Sequence, residues 1–164
     1  MRTLGVDPSS KSTGLALIEN FKTVQVDLWR PATKSVHDSL ASLHNYLLAS
    51  PLTCYIDSVC VEKISVTRNM NTVRRISYVE GVALSIAGLL GCMKVEQLNP
   101  KQARKIVFGE GDISKREVYE RIISSTSIDF LPFDKGGSDQ ADAAVVGLAL
   151  QYQAREEILG NDEE

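Results

Sequence analysis

Residues 3–18 read TLGVDPSSKSTGLALI, and this stretch decides how the chain begins to fold. Two short apolar runs, 3–6 and 13–18, flank a polar segment that contains a proline, which is the pattern of two strands joined by a turn. A third run with strand character, 23–28, follows after another short polar connection. Connections this short favour antiparallel neighbours, so we predict an N-terminal meander of three strands.

The middle of the chain alternates between helix and strand patterns. Apolar residues at helical spacing predict a helix over 35–48 and a long helix over 71–90. Strands are predicted over 54–61 and 93–98. Strands that are reached through helices should run parallel to the first strand. We therefore predict an α/β fold with a five-stranded mixed sheet, three antiparallel strands followed by two parallel ones, flanked by helices.

Two further helices are predicted from their capping residues. Asn99 followed by Pro100 is typical of a helix start, and Gly109 is typical of a helix end. Ser114, with Glu117 three residues later, forms a capping-box pattern. This pattern predicts a helix that runs to about residue 125.

Length and composition predict one domain over 1–157, followed by an acidic tail over 158–164. Ser138 or Asp139 is expected to cap the last helix, which would run to about Leu159. No apolar run approaches the roughly 20 residues that span a bilayer, so no membrane contact is expected. The N-terminus shows no pattern of a signal peptide. The three cysteines form no CxxC pair and are expected to be buried free thiols in a reducing compartment.

Four carboxylates stand where predicted elements begin or end. Asp7 ends the first strand and Glu62 ends the fourth. Asp139 and Asp142 open the last helix, and their spacing puts both on one helical face. If these ends converge at one sheet edge, the like charges need cations to stay ionised, and hard divalent ions prefer such oxygen ligands. The alternative is that Asp139 is only a helix cap and Asp7 only a turn former.

The basic side chains are concentrated in the middle of the chain. The protein has a net charge of −3, but residues 63–121 carry 11 basic and 6 acidic side chains, a net charge of +5. This segment is therefore the predicted surface for a polyanion, with a merely solvated charged face as the alternative. The candidates for DNA contact are Lys63, Arg68, Asn71, Arg74, Arg75, Lys101, Arg104, Lys105 and Arg116.

Four segments together resemble a known family. They are GVDPSSKSTG at 5–14, VCVEK at 59–63, SDQADA at 138–143, and the stretch from NP at 99–100 to GEGDISK at 109–115. They are similar, in order and spacing, to the three acidic motifs of the RuvC-type Holliday junction resolvases and to the segment before that family's late helix. The family has the ribonuclease-H-like fold. The resemblance extends from residue 1 to about residue 152.

The resemblance implies a homodimeric endonuclease that depends on divalent metal and cuts two strands of a four-way DNA junction symmetrically. It implies two Mg²⁺ ions per active site, with Mn²⁺ also supporting activity, and two metals can activate a water and stabilise the leaving oxygen. The catalytic residues that would hold the metal are Asp7, Glu62, Asp139 and Asp142.

Further residues and partners follow from the same resemblance. Lys115 matches a lysine at the margin of the family's active site, where it would act in catalysis and contact DNA. Arg104 or Lys105 falls near a second basic position. The helix over 71–90 helps to form the dimer in the family, although plain core packing would also explain its apolar residues. A branch-migration helicase is a candidate partner, and the expected location is the cytoplasm, on nucleoid or viral DNA.

One position departs from the family pattern. Bacterial relatives commonly carry an aromatic residue three positions after the glutamate, where it stacks on an opened base, and here that position is Ser65. Such stacking is worth about 1–3 kcal/mol per base. A relaxed nuclease that cuts flaps, forks and other branched DNA therefore stays open as an alternative. Trp29 and Tyr78 are interpreted as packing residues rather than base-stacking platforms.

Two other classes have less support. A non-catalytic junction-binding module would be expected if the acidic set were broken, and it is intact. The actin-like ATPases and sugar kinases have a first phosphate motif that also resembles residues 7–14, but they need a second such domain, for which 164 residues leave no room. The acidic tail is not a hallmark of the resolvase family, and it leaves a phage, plasmid or other mobile-element member open.

Overall fold

The computed structural model describes residues 1–9, 11–64 and 69–161 of the chain. The predictions made for Ser65 and Arg68 therefore lie outside the described residues, as does the acidic tail beyond residue 161.

The chain begins with the predicted meander. Strands β1 (Arg2–Pro8), β2 (Thr13–Glu19) and β3 (Lys22–Trp29) are antiparallel neighbours in chain order. Side chains alternate between the two faces of the sheet, as the period of a strand requires. Leu15 packs into the core on one face and Ala16 into the core on the other.

Two more strands extend the sheet in parallel. Strand β4 (Ser58–Glu62) pairs with β1, and β5 (Lys94–Leu98) pairs with β4. The strand order is β3-β2-β1-β4-β5, which confirms the predicted mixed sheet. Strands β1 and β4 stay in register up to the pair of Val6 and Val61, so the carboxylates that follow these two valines share one sheet edge.

The fourth strand starts later than predicted. A single 3-10 turn, Pro51–Thr53, precedes it, and Tyr55 adopts a left-handed conformation with φ of 57°. Left-handed backbone cannot continue a strand. Strand β4 therefore begins at Ser58 and not at Cys54.

The cysteines are free thiols, but they are not all buried. Cys60 is buried in the sheet and Cys92 is half-buried, whereas Cys54 is exposed. The expectation of three buried thiols is therefore wrong for Cys54, because the late start of β4 leaves this residue outside the sheet.

Helices cover both faces of the sheet. Helices α1 (Val36–Ala49) and α2 (Met70–Leu89) bury one apolar core. Helix α5 (Gly137–Asn161) buries the other, and α3 (Pro100–Phe108) and α4 (Lys115–Ser124) pack against α5. Among the helices of the described residues, none combines the length and apolar character that crossing a membrane requires.

The predicted caps of α3 and α4 are present. The Asn99 side chain accepts a hydrogen bond from the Lys101 N–H, and Gly109 closes α3 with φ of 81°. Ser114 Oγ accepts a hydrogen bond from the Glu117 N–H at 3.2 Å, which is one half of the predicted capping box, while the Glu117 carboxylate pairs with Arg121. These caps fix where α3 and α4 begin, beside the first turns of α5.

Helix α5 begins before its predicted cap, whereas its end agrees with the predicted end at about Leu159. It begins at Gly137, so Asp139 lies within the first turn and is not the cap. It continues to Asn161, across the position 158 where the acidic tail was predicted to start. The interpretation of Asp139 as only a helix cap is therefore wrong.

Two glycines let α5 lie directly on the sheet. A Cβ atom at Gly5 would stand 1.9 Å from the carbonyl oxygen of Ala143, and one at Gly14 would stand 2.1 Å from that of Asp139. Side chains do not pack at such distances, so this close contact requires glycine. The first turns of α5, which carry Asp139 and Asp142, are thereby held against the β1–β2 hairpin.

Gln151 fixes α5 further along its length. Its amide nitrogen donates to the carbonyl oxygens of Met1 and Ile18, both at 3.0 Å, and to Thr3 Oγ1 at 3.1 Å. Its amide oxygen accepts from the Phe21 N–H at 2.7 Å. A buried amide with its partners in place stabilises one register of α5 against the sheet.

Candidate active site

Two carboxylates lie side by side at the C-terminal edge of β1 and β4. Asp7 is 5% exposed, and Glu62 is half-buried. Burial, and then the like charges of Glu62 and Asp142, raise the pKa of Asp7 well above its usual value. Burial, and then the charge of Asp142, raise the pKa of Glu62 to about 7. The predicted convergence of charges at this edge is thus present.

Asp142, which is buried on α5, supplies a third carboxylate. Two basic side chains hold it in place. Lys115 Nζ lies 2.7 Å from Oδ2 of Asp142, and Arg104 Nη2 lies 3.2 Å from Oδ1. Burial by itself would lower the pKa of Lys115, but the negative charges around it, above all that of Asp142, outweigh this effect and raise the pKa. Lys115 therefore stays protonated inside the cluster.

A residue in the connection between β1 and β2 orients the side chain of Asp139. Its Oδ2 accepts a hydrogen bond from Ser12 Oγ at 2.5 Å. Its charge also contributes to the raised pKa of Asp7 and Glu62. The sequence analysis missed Ser12, although the residue lies inside the first resemblance motif at 5–14, which was the available signal.

The chemistry of the donor set suits a hard cation. Within the described ranges, no three His, Cys, Asp or Glu side chains are placed so that they could hold an ion as they stand. The contacts explain this arrangement, because Asp142 is engaged by Lys115 and Arg104, and Asp139 by Ser12. All four candidate ligands are carboxylates, which is the ligand chemistry of Mg²⁺ and Mn²⁺.

The predicted DNA-contact residues fall into separate groups. Arg104 and Lys115 belong to the carboxylate cluster. Lys105 is exposed on α3, and Lys101 is paired with Asp112. The Arg116 guanidinium on α4 lies 4.8 Å from the ring centre of Phe133 and 4.0 Å from Glu120. The third group lines a groove beside α1 and consists of Asn71, Arg74 and Arg75 on α2.

The two aromatic residues that were interpreted as packing residues differ in their burial. Trp29 is 6% exposed and belongs to the core beneath α1 and α2. Tyr78 is 51% exposed on α2, so its interpretation as a packing residue is wrong. The reason is its angular position on the helix, which lies outside the buried stripe formed by Val79, Ala83 and Ile86.

A mixed sheet of this order, flanked by helices and with acidic side chains at the C-terminal edge of its central strands, has the ribonuclease-H-like fold. The sequence model of the family described as crossover junction endodeoxyribonuclease RuvC matches residues 3–149. The chain belongs to this family.

Individual relatives agree with this assignment. The chain is 27% identical to the crossover junction endodeoxyribonuclease RuvC of Chloroflexus aurantiacus over 94% of each chain. It is 29% identical to the protein of the same name from Syntrophomonas wolfei, over 94% of this chain and 91% of that one. In fold it resembles T. thermophilus RuvC, solved in complex with a Holliday junction substrate, with a TM-score of 0.81 at 20% identity over 96% of each chain.

Proposed function

We propose that this protein is a metal-dependent, structure-selective DNA endonuclease that resolves four-way junctions by paired hydrolysis of phosphodiester bonds. One observation carries the proposal, namely the cluster of buried and half-buried carboxylates that β1, β4 and α5 place beside Lys115. Like charges held this close together destabilise the fold, and the binding of cations would offset their repulsion. Family membership supports the reaction class.

The proposed metal ligands are Asp7, Glu62, Asp139 and Asp142, and the proposed metal is Mg²⁺, two ions per site, with Mn²⁺ as a substitute. When bound, these ions supply an activated water and stabilise the leaving oxygen of the cut strand. Asp7 is the most central ligand, because it lies on the middle strand and is buried between the charges of Glu62 and Asp142.

The other side chains of the site position and balance these ligands. Ser12 holds one oxygen of Asp139 through its hydrogen bond. Arg104 is 12% exposed in its side chain and also donates to the Ile113 carbonyl oxygen at 3.2 Å, so it fixes the orientation of Asp142. Lys115 balances the charge of Asp142 and is about half exposed, so its positive charge would be available to the scissile phosphate.

The proposed substrate is branched DNA, above all the four-way junction, and a homodimer would supply the two sites that paired cuts require. The proposed phosphate contacts are Arg68, Asn71, Arg74, Arg75, Arg104, Lys105, Lys115 and Arg116. A branch-migration helicase is the proposed partner, and the cytoplasm is the proposed location. We also propose that the single nuclease domain spans residues 1–157 and that residues 158–164 form an acidic C-terminal tail, although α5 itself continues to Asn161.

A relaxed nuclease for flaps and forks is the second candidate. Ser65 favours it, because a hydroxymethyl side chain cannot stack on an opened base as an aromatic residue can. The two candidates share the same chemistry and differ only in how strictly the substrate is selected.

Cleavage of end-labelled DNA tests the proposal. A mobile four-way junction, a fork, a flap and a linear duplex are incubated with the protein in Mg²⁺, in Mn²⁺ and in EDTA. We expect paired, symmetrical cuts in the junction with either metal and none in EDTA. Equal cleavage of fork, flap and junction would favour the relaxed nuclease. Cleavage that persists in EDTA, or no cleavage of any branched substrate, would refute the proposal.

A further inference from the structure

A cavity of about 200 Å³ lies among α3, α4, α5 and the turn between β2 and β3. It is on the face of the sheet that α5 covers, whereas α2, the helix that the resemblance assigns to the dimer, packs on the other face. Tyr152, which lines the cavity, follows Asp142 by ten positions, or about 15 Å along the helix. The turn itself lies at the sheet edge opposite to Asp7, because Glu19 at the end of β2 pairs with Arg2. The cavity is therefore separate from both the carboxylate cluster and α2.

Phe21 borders this cavity in a backbone conformation that its residue type disfavours. Asn20 and Phe21 form the two-residue turn between β2 and β3, with φ of 48° and 64°. Such turns favour glycine at the second position, because a bulky side chain is strained at positive φ. The Phe21 ring lies 5.2 Å from the ring of Tyr152, yet the residue remains 37% exposed. Packing therefore accounts for only part of the ring, and a strained residue at a cavity suggests a use for its side chain.

The floor of the cavity is aliphatic and its size suits one side chain. Ile122 is 1% exposed and Leu148 is 7% exposed, and Val107 completes this floor. Clefts for drug-sized ligands have roughly 300–1,000 Å³, so this cavity is too small for a cofactor. An aromatic or leucine side chain that anchors a protein segment is the kind of group that fills such a pocket.

The edge of the cavity carries positive charge without a counter-charge. The Arg155 guanidinium lies 5.7 Å from the ring centre of Phe21, and the exposed Lys22 lines the cavity. In the ranges that the structure describes, no carboxylate lies within ion-pair distance of Arg155 or Lys22. Arg121 also lines the cavity, but two glutamates at 2.6 Å balance its charge. The two free charges beside an apolar pocket complement an acidic ligand with an apolar side chain.

A protein segment fits this surface better than a nucleic acid does. Glu117 and Glu120 border the neighbouring groove on α4, which shares Arg121 and Ser125 with the cavity. A nucleic acid carries a charge at every phosphate and would meet these carboxylates, and the polar edge of a base finds no partner on an aliphatic floor. The acidic end of this chain, GNDEE at 160–164, has no large apolar side chain that could fill the cavity.

We propose that this cavity is a docking site for an acidic segment of another protein. One apolar side chain of that segment would enter the cavity beside Phe21 and Tyr152, and its carboxylates would pair with Lys22 and Arg155. The inference goes beyond the proposed nuclease function and does not depend on it. Because the cavity lies away from the carboxylate cluster, a partner held there would leave that cluster open.

Binding of synthetic peptides tests the inference by fluorescence anisotropy. The main probe is a labelled peptide with one phenylalanine between two runs of aspartate. One comparison peptide has alanine in place of the phenylalanine, another has asparagine in place of every aspartate, and labelled oligothymidylate represents single-stranded DNA. The proteins are wild type, Phe21→Gly, Lys22→Glu, Arg155→Glu and the control Lys34→Glu, which reverses an exposed charge just before α1. The molar mass, thermal unfolding and junction cleavage of each protein are measured alongside.

We expect wild type to bind the main probe saturably and the alanine peptide about 10- to 150-fold more weakly, as for burial of a phenylalanine side chain at about 1.5–3 kcal/mol. Lys22→Glu and Arg155→Glu should each weaken binding about fivefold, as for an exposed ion pair of about 1 kcal/mol. The asparagine peptide should bind correspondingly more weakly to wild type. Phe21→Gly should weaken binding about tenfold or more, although glycine removes the strain of the turn. Lys34→Glu should bind as wild type does, and cleavage should be unchanged in all variants.

Four results would overturn the inference. The first is no saturable binding of the main probe, and the second is equal binding of the alanine peptide. The third is wild-type affinity in both Arg155→Glu and Phe21→Gly. The fourth is tighter binding of oligothymidylate that Arg155→Glu abolishes, which would make the cavity a nucleic-acid site. The proposed function is judged separately, because peptide binding and junction cleavage are measured independently and either can fail while the other stands.

Discussion

Glu62 lies half-buried beside the carboxylates of Asp7 and Asp142, and its charge does nothing to stabilise the fold. Burial and like charge raise its pKa from an ordinary 4.5 to about 7. Carboxylates with pKa values perturbed in this way are concentrated at functional sites, where another charge is expected to balance them. Among the described residues, the charges of Lys115 and Arg104 oppose this effect and lower the pKa of Glu62.

Substitution of Glu62 by glutamine should stabilise the metal-free protein in a manner that depends on pH. Because the folded pKa lies above the unfolded one, the folded state holds this proton more tightly, and wild type loses stability as the pH rises from about 4.5 to about 7. The melting temperature of Glu62→Gln in EDTA should therefore equal that of wild type near pH 4.5 and exceed it at pH 8. Each kcal/mol of difference corresponds to about 2–4 °C.

The same series contains its own control. Asp38→Asn removes an exposed carboxylate that lies outside the cluster, in the first turn of α1, and should not raise the melting temperature at any pH. Equal melting temperatures of Glu62→Gln and wild type at pH 8 would mean that Glu62 is not held among like charges.

The residues that form the site could be predicted from the sequence, but the contacts between them could not. Asp7, Glu62, Asp139 and Asp142 could be found because each ends or opens a recognisable element. The hydrogen bond from Ser12 to Asp139 joins positions 127 apart in the chain, and no local pattern indicates such a pair. The exposure of Tyr78 was missed because the predicted helix over 71–90 has apolar residues beyond its buried stripe.

At the scale of elements, the site depends on how closely α5 approaches the β1–β2 hairpin. The order and direction of the five strands could be predicted, because short connections and intervening helices leave few choices. The start of β4 could not, because the left-handed Tyr55 has no clear signature in the sequence. The depth of the helix–sheet contact is likewise invisible in the sequence, since it depends on the absence of a side chain at Gly5 and Gly14.

Addition of one methyl group at Gly14 tests this contact. A Cβ atom there meets the Asp139 carbonyl oxygen at 2.1 Å, so Gly14→Ala should push the first turn of α5 away from the hairpin. We expect the free energy of unfolding to fall by about 1–3 kcal/mol and junction cleavage to fall with it, because Asp139 and Asp142 move with the turn. Chemical denaturation and a cleavage assay measure the two effects.

Gly81 provides the matched control in an open part of α2. A Cβ atom at Gly81 meets nothing within 4 Å. Gly81→Ala should therefore raise the free energy of unfolding by about 0.5–1 kcal/mol through helix propensity and leave cleavage unchanged. Wild-type stability and cleavage in Gly14→Ala would contradict the role given to the close contact.

At the scale of the whole molecule, charge is divided between two surfaces. The net charge of −3 conceals a middle segment, 63–121, with a net charge of +5. The fold brings Arg104 on α3 and Lys115 at the start of α4, both from this basic segment, into contact with an acidic cluster built from the rest of the chain. Such an arrangement attracts a polyanion to the margin of the site and leaves its centre for cations. Affinity for DNA should accordingly fall as salt concentration rises.

The most direct test of the account compares wild type with Asp7→Asn on a labelled four-way junction in Mg²⁺, with binding and cleavage measured on the same samples. Asp7→Asn keeps the size of the side chain and removes one charge from the centre of the cluster. We predict that the variant binds the junction as wild type does and that its cleavage falls by at least about 100-fold, since even the partners of metal ligands cost 10- to 100-fold when they are lost. Cleavage by Asp7→Asn at the wild-type rate would contradict the account.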